Sequence, residues 1–305
     1  MPPVALIAGP TASGKSELAL RLAEATGGVI VNADSAQLYR DLPILSAAPT
    51  EADRARAEHR LYGVLDGARP CSAADWAELA KVEIARLHDE QRLPILVGGT
   101  GLYLRTLLDG IAPVPPIDPE IRAKVRGNGA AENLAELMPL DPLAATTLNP
   151  GDTTRIARAL EVVKSTGKTL GEWHQRHEGG IARDITLKPI MLLPPRPWLY
   201  ERCDRRFAAM VRQGAIAEVE RLLSRKLDPK LPVMWAIGVG ELGDYLRGML
   251  TLEQAIAAGS QATRRYAKRQ YTWFAHQPPP DWPRFYEPLE GESVDRALAL
   301  LGPAG

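Results

Sequence analysis

Gly9-Pro10-Thr11-Ala12-Ser13-Gly14-Lys15-Ser16 satisfies the pattern G-x-x-x-x-G-K-[ST]. The apolar run Val4-Ala5-Leu6-Ile7-Ala8 before it reads as a strand, and Ser16 to Ala25 after it as a helix, which is the setting this pattern requires. Its glycines let backbone N–H groups converge on phosphate oxygens at a helix N-terminus, where the helix dipole also favours negative charge. Lys15 adds a point charge, and the Ser16 hydroxyl is placed to reach a magnesium ion, so Mg2+ is the expected cofactor. All eight residues, Gly9 to Ser16, are therefore candidate ligands of a nucleotide or diphosphate. A glycine-rich turn with a merely solvated lysine is the alternative, and the flanking strand and helix argue against it.

Outward from this loop, Val29 to Val31 and Ile95 to Val97 are further strand candidates, and Ser72 to Glu90 carries helical periodicity. Ser72 followed by Asp75 has the form of a capping box. Short apolar runs alternating with helices imply a parallel sheet covered on both faces. The expected fold class is α/β, a P-loop NTPase-like parallel sheet flanked by helices, with an inserted helical subdomain. The insertion is announced by Ala112-Pro113-Val114-Pro115-Pro116, which neither continues a helix nor donates fully to a sheet. Asp118 to Arg126, Glu132 to Met138 and Asp152 to Ser165 then read as helices. Ile185 to Leu193 reads as a returning strand, and Trp198 to Arg225, Gly238 to Gly248 and Thr251 to Ala275 as later helices. The expected divisions are 1–112 for the first part of the core, 113–183 for the insertion, 184–290 for the return to the core, and an irregular tail at 291–305.

The charge balance excludes little by itself. Lysine plus arginine and aspartate plus glutamate both total 37, so a polyanionic partner has to be met by local clusters. Cys71 and Cys203 offer no metal-ligand spacing and fit a reducing compartment. With no basic leader and no apolar run of the ~18 residues a membrane span needs, the expectation is a cytoplasmic protein with no membrane association and no evident obligatory protein partner.

Two more segments fall at predicted strand ends, where ligands of such sheets bind. The first is Asn32-Ala33-Asp34-Ser35-Ala36-Gln37, in which Asp34 is placed to orient a nucleophile or accept its proton, or else simply to cap a turn. The second is Gly98-Gly99-Thr100-Gly101, where glycines permit close backbone approach and Thr100 offers a hydroxyl and an amide.

With these segments in place the chain resembles the tRNA dimethylallyltransferases, also called tRNA isopentenyltransferases. The resemblance covers GPTASGKS at 9–16, DSAQLYR at 34–40, HRL at 59–61, SAADW at 72–76, VGGTGLY at 97–103, DPEIR at 118–122, DTTRIARALEV at 152–162, GKTL at 167–170 and AKRQYTWF at 267–274. It implies transfer of a dimethylallyl group from dimethylallyl diphosphate to N6 of the adenosine 3′ of the anticodon, with the tRNA anticodon stem-loop as partner. It further implies that Asp34 accepts the amine proton and that Thr100 contacts the diphosphate near its bridging oxygen. The matching positions Asp34, Ser35, Ala36, Gln37, Thr100, Arg122, Thr154, Arg155, Ile156, Ala157, Arg158, Lys268, Arg269, Gln270, Tyr271, Thr272 and Trp273 are implied to meet tRNA.

The residue chemistry is compatible with that reading. Arg155 with Arg158, then Arg202 with Arg205 and Arg206, and then 263–273 are basic clusters, the last interleaved with aromatics able to stack on bases. Solvated helix faces are the plain alternative for each. For the whole chain the alternatives are a small-molecule P-loop kinase using ATP, or a nucleic-acid-binding module without catalysis.

Overall fold

The computed structural model describes residues 1–302, so the sequence-predicted end of the tail at 303–305 lies outside the described residues. Its strands are β1 (Pro3–Ala8), β2 (Val29–Asn32), β3 (His59–Arg60), β4 (Pro94–Gly98), β5 (Gly110–Ile111), β6 (Glu178–Gly179), β7 (Thr186–Leu192) and β8 (Arg284–Phe285). Six of them form a parallel sheet in the order β3-β2-β4-β1-β7-β8. Val4 to Ala8 are at most 1% exposed, because helices cover both faces of the central strand. That is why the strand is a continuous apolar run rather than an alternating one.

The helix after the phosphate loop is Lys15–Thr26, and its buried Leu18, Leu20 and Leu22 join the sheet core with Ile7, Ile30 and Ile95. The helix Ala73–Asp89 opens on the capping box the sequence predicts. The Ser72 hydroxyl accepts from the Asp75 N–H at 3.1 Å, and the Asp75 carboxylate accepts from the Ser72 N–H at 2.8 Å.

The chain divides into two compact units. One contains Met1–Leu107 and resumes at Ile181; the other is Leu108–Gly180. The second unit, placed at 113–183 by sequence texture, contains helices Pro119–Gly127, Ala130–Leu137, Pro142–Thr147, Thr153–Thr166 and Leu170–Trp173. Its core is Val125, Leu137, Ile156, Leu160 and their neighbours. The antiparallel pair of β5 and β6 joins its two ends.

Several elements depart from the sequence expectation. The segment 198–225 is not one helix: Arg196–Met210 and Ile216–Ser224 are separated by a π-turn in which Gly214 takes φ 108°. The tail is not irregular throughout, since Arg284–Phe285 adds the edge strand β8 and Ser293–Leu300 is a helix. His59–Arg60 adds a short strand, so the segment ending at Gly98 is the fourth strand rather than the third.

Candidate active site

Pairing register brings the three strand ends together. Ala8 lies opposite Gly98 on one side and Met191 on the other, and Asn32 lies opposite Val97. The phosphate loop, the Asp34 segment and the Thr100 turn thus leave the sheet at one edge. Trp76 secures the second of these, donating from its indole to the Asn32 carbonyl at 2.9 Å while its ring stacks on Tyr103 at 4.8 Å.

The Asn32 side chain shapes the turn after β2. Its amide oxygen accepts the Asp34 N–H at 2.8 Å, and its NH2 donates to the Asp34 carbonyl at 3.0 Å. One Asp34 carboxylate oxygen accepts the Ala36 N–H at 3.0 Å, bracing the chain where it enters the 3-10 turn Ala36–Leu38. Bracing and chemistry are therefore not exclusive at Asp34, since the charge also acts on Lys15, Arg206, Tyr62, Tyr103 and Tyr266. Thr100 is joined to the same segment: its hydroxyl oxygen accepts the Ser35 N–H at 3.0 Å, and its own N–H reaches the Ala33 carbonyl at 3.3 Å.

In the phosphate loop Ala12 holds φ 63°, a left-handed conformation unusual for a residue with a Cβ. Two later helices grip this apex. Arg202 donates to the Ala12 carbonyl at 3.0 Å, and the Gln270 amide oxygen accepts the Thr11 N–H at 2.8 Å. Arg206, from the same face as Arg202, approaches the Thr11 hydroxyl at 3.4 Å. The Ser13 hydroxyl, 1% exposed, has no hydrogen-bond partner among the described residues.

Positive charge predominates beside this loop. Burial lowers the Lys15 pKa to about 8, with the charge of Asp34 opposing the shift and Arg206 adding to it. Burial likewise lowers the Arg206 pKa. Lys15 donates to the Pro10 carbonyl at 2.7 Å, and among the described residues neither cation sits in an ion pair. Two desolvated cations share the influence of one carboxylate, an imbalance that an anion would correct. A cavity of about 870 Å³ adjoins them, lined by Lys15, Ser16, Gln37, Tyr62, Arg206 and the apolar Ile44, among others. Asp34 and Thr100 are not among its lining residues.

The remaining sequence candidates fall on the helix Leu252–His276 and in the helical unit. Along the helix Leu252–His276, Lys268, Arg269 and Thr272 are exposed, whereas Gln270 is buried and Tyr271 and Trp273 are half-buried. Gln270, expected from sequence to meet tRNA, uses both ends of its amide inside the protein. Tyr271 donates to the Leu193 carbonyl at 3.3 Å, and Trp273 packs where a Cβ on Gly101 would stand.

In the helical unit Ile156 and Ala157, expected from sequence to meet tRNA, have their side chains in the core. Thr154 and Arg155 are exposed, Arg155 pairing with Asp152 at 3.3 Å. Arg158 feels Arg122 and Arg126 as like charges and the buried Glu161 as an opposite one, while burial lowers its pKa. No carboxylate pairs with Arg122 among the described residues.

Sequence reasoning missed Arg202 and Arg206 as loop residues, treating them as a surface cluster. Their spacing of four within a helix was the available signal. Tyr266, read from sequence only as one aromatic of the 263–273 cluster, has its hydroxyl beside Thr100 and Gln270, and burial raises its pKa.

A parallel sheet with a glycine-rich G-x-x-x-x-G-K-S loop between its central strand and the following helix defines a P-loop α/β protein. The family model described as IPP transferase matches residues 37–277, and the chain belongs to that family. It is similar to the tRNA dimethylallyltransferase of Erythrobacter litoralis, 58% identical over 93% of this chain and 91% of the relative. It is also similar to that of Sphingopyxis alaskensis, 57% identical over 98% of both chains.

Among solved structures it resembles the tRNA isopentenylpyrophosphate transferase of Bacillus halodurans. That likeness has TM-score 0.69 and 30% identity, covering 99% of this chain and 97% of that one. A eukaryotic dimethylallyltransferase captured acting on tRNA gives TM-score 0.78 and 28% identity, over 90% of this chain and 70% of that one. The kinase reading finds no support in these matches. Among the described residues no helix is long and apolar enough to cross a membrane.

Proposed function

We propose that the protein transfers the dimethylallyl group of dimethylallyl diphosphate to N6 of the adenosine 3′-adjacent to the anticodon in tRNA, releasing diphosphate, in the cytoplasm. The observation that carries this reading is the pair of cations without an ion-pair partner among the described residues, Lys15 and Arg206, which line the cavity beside the phosphate loop under the charge of Asp34. As the allylic C–O bond breaks, negative charge grows on the departing diphosphate. Donors already fixed around it stabilise that charge without reorganising. The N6 amine is a weak nucleophile, so a carboxylate that takes its proton as the C–N bond forms lowers the barrier. Asp34 is the carboxylate at this edge of the sheet, and Thr100 is held beside its segment to assist the leaving group.

The orphaned Ser13 hydroxyl and the Ser16 hydroxyl in the cavity wall fit a magnesium diphosphate, with Ser16 holding the metal. Magnesium takes most of its remaining ligands from phosphate and water, so no cluster of protein carboxylates is required. When bound, it supplies charge neutralisation to the leaving group.

For tRNA, the proposed contacts are Asp34, Ser35, Ala36, Gln37 and Thr100 at the reacting nucleotide, which is flipped out of its stack. Lys268, Arg269 and Thr272 on the exposed helix face, and Arg122, Thr154, Arg155 and Arg158 on the helical unit, meet the backbone. Purified protein, magnesium, dimethylallyl diphosphate and unmodified tRNA should give prenylated adenosine by mass analysis. Absence of that product, with ATP-dependent phosphorylation of a metabolite instead, would return the kinase reading.

A further inference from the structure

We infer that Gln270 is a positioning residue that holds the diphosphate loop and the Thr100 turn at a fixed separation, so that the grip on the leaving group and the placement of Thr100 are set by one side chain. The inference rests on the reading of Gly9–Ser16 as the diphosphate site. Gln270 is 5% exposed. Its amide oxygen accepts the Thr11 N–H at 2.8 Å, and its NH2 donates to the Gly99 carbonyl at 2.8 Å. One planar group thereby spans from the apex of the phosphate loop to the residue before Thr100.

The surroundings are shaped around this bridge. A Cβ on Gly99 would stand 2.2 Å from the Gln270 Nε2, so a residue with a side chain there would push the amide away. The Tyr266 hydroxyl, one helical turn earlier, interacts with both Gln270 and Thr100. Arg202 holds the next loop carbonyl, that of Ala12, from the neighbouring helix. A glutamine matches both demands at position 270 at every pH, because it offers an acceptor and a donor from one rigid plane.

The same requirement supplies the test. In Gln270→Glu a protonated carboxyl can still donate to Gly99 and accept from Thr11, whereas an ionised one sets two acceptors against each other. Burial beside a carbonyl raises the pKa of that carboxyl. Relative to wild type at the same pH, Gln270→Glu should therefore bind inorganic diphosphate nearly as well at about pH 5, with the ratios of affinity and of kcat falling as pH rises toward 8. Gln270→Met, of similar shape with neither bond, should weaken diphosphate at every pH and lower kcat by about 10²-fold, the effect of a misplacement of about 1 Å. Its tRNA affinity should stay at the wild-type value.

Diphosphate binding is read by calorimetry and needs no tRNA, so a wild-type protein that binds diphosphate yet forms no prenylated product would defeat the proposed function and leave this inference standing. A Gln270→Glu profile parallel to wild type from pH 5 to 8 would overturn the inference. So would a Gln270→Met protein with wild-type diphosphate affinity and kcat. If the methionine variant does not fold, the glutamate profile decides alone.

Discussion

Gly98→Ala places a single methyl group at the tightest point of the site. A Cβ there would stand 2.0 Å from the Ala33 carbonyl oxygen, 2.2 Å from its carbon and 2.7 Å from its Cα. Contacts under 3.0 Å are essentially never seen for real Cβ atoms, so the ends of β2 and β4 must part by about 1 Å. All three opposing atoms are backbone, and no rotamer change relieves them. Overpacking of this kind costs about 1–3 kcal/mol of stability.

The larger effect is on catalysis, because Ala33 and Gly98 closely precede Asp34 and Thr100 in the chain. Separating them stretches the Ser35-to-Thr100 hydrogen bond, now 3.0 Å, and the Thr100-to-Ala33 bond, now 3.3 Å. A shift of about 1 Å between reacting groups lowers turnover by about 10²-fold. Steady-state kinetics with saturating tRNA and dimethylallyl diphosphate, alongside thermal melting, measure both effects. A Gly98→Ala protein with unchanged kcat and melting temperature would refute the claim that these strand ends set the geometry of the site.

Three other outcomes are expected from the same structure. The protonated form of Lys15 binds diphosphate, and burial has lowered its pKa to about 8. Measured against Lys15→Met, whose profile carries the ligand's own ionisation, wild-type affinity for inorganic diphosphate should thus keep a constant advantage below pH 8 and lose it by about tenfold per pH unit above, until the higher pKa of the bound state is reached, as calorimetry across pH would show. Glu218 is buried and accepts the Ile44 and Leu45 N–H groups at 2.7 and 2.9 Å, holding a segment of the cavity wall. Glu218→Leu should cost about 2–4 kcal/mol in urea unfolding, because two backbone donors lose a charged acceptor. Arg122→Ala should weaken tRNA binding and reduce the slope of log affinity against log salt by about one, as loss of a single phosphate contact does.

The core of the fold was legible because its signals are local and redundant. An apolar strand, a glycine loop and an amphipathic helix occur in sequence at 4–25, and nothing in the tertiary structure overrides them. The Ser72 capping box was legible for the same reason. The two-residue strands β3 and β8 were not, since His59–Arg60 and Arg284–Phe285 carry no periodicity and become strands only by pairing at the ends of the sheet. The break in the helix after Met210 had its signal in Gly214, which a run of good helix formers on either side concealed.

At the site, Asp34, Thr100 and Lys15 were visible because each sits at a strand end or within the loop. Arg202, Arg206 and Gln270 were harder to read, because their roles depend on which face of a distant helix packs against residues 11 and 12. The alternation along 268–273 of exposed cations with buried Gln270 is helical periodicity, and it separates the surface residues from the internal ones once a partner face is known.

The most direct measurement of the proposed chemistry is a comparison of Asp34→Ala with wild type in two assays, single-turnover formation of prenylated adenosine and equilibrium binding of tRNA. A carboxylate that takes the amine proton predicts a fall in rate on the order of 10²–10⁴-fold with tRNA affinity nearly unchanged. Equal losses in rate and affinity would contradict it, leaving Asp34 as the acceptor of the Ala36 N–H and nothing more.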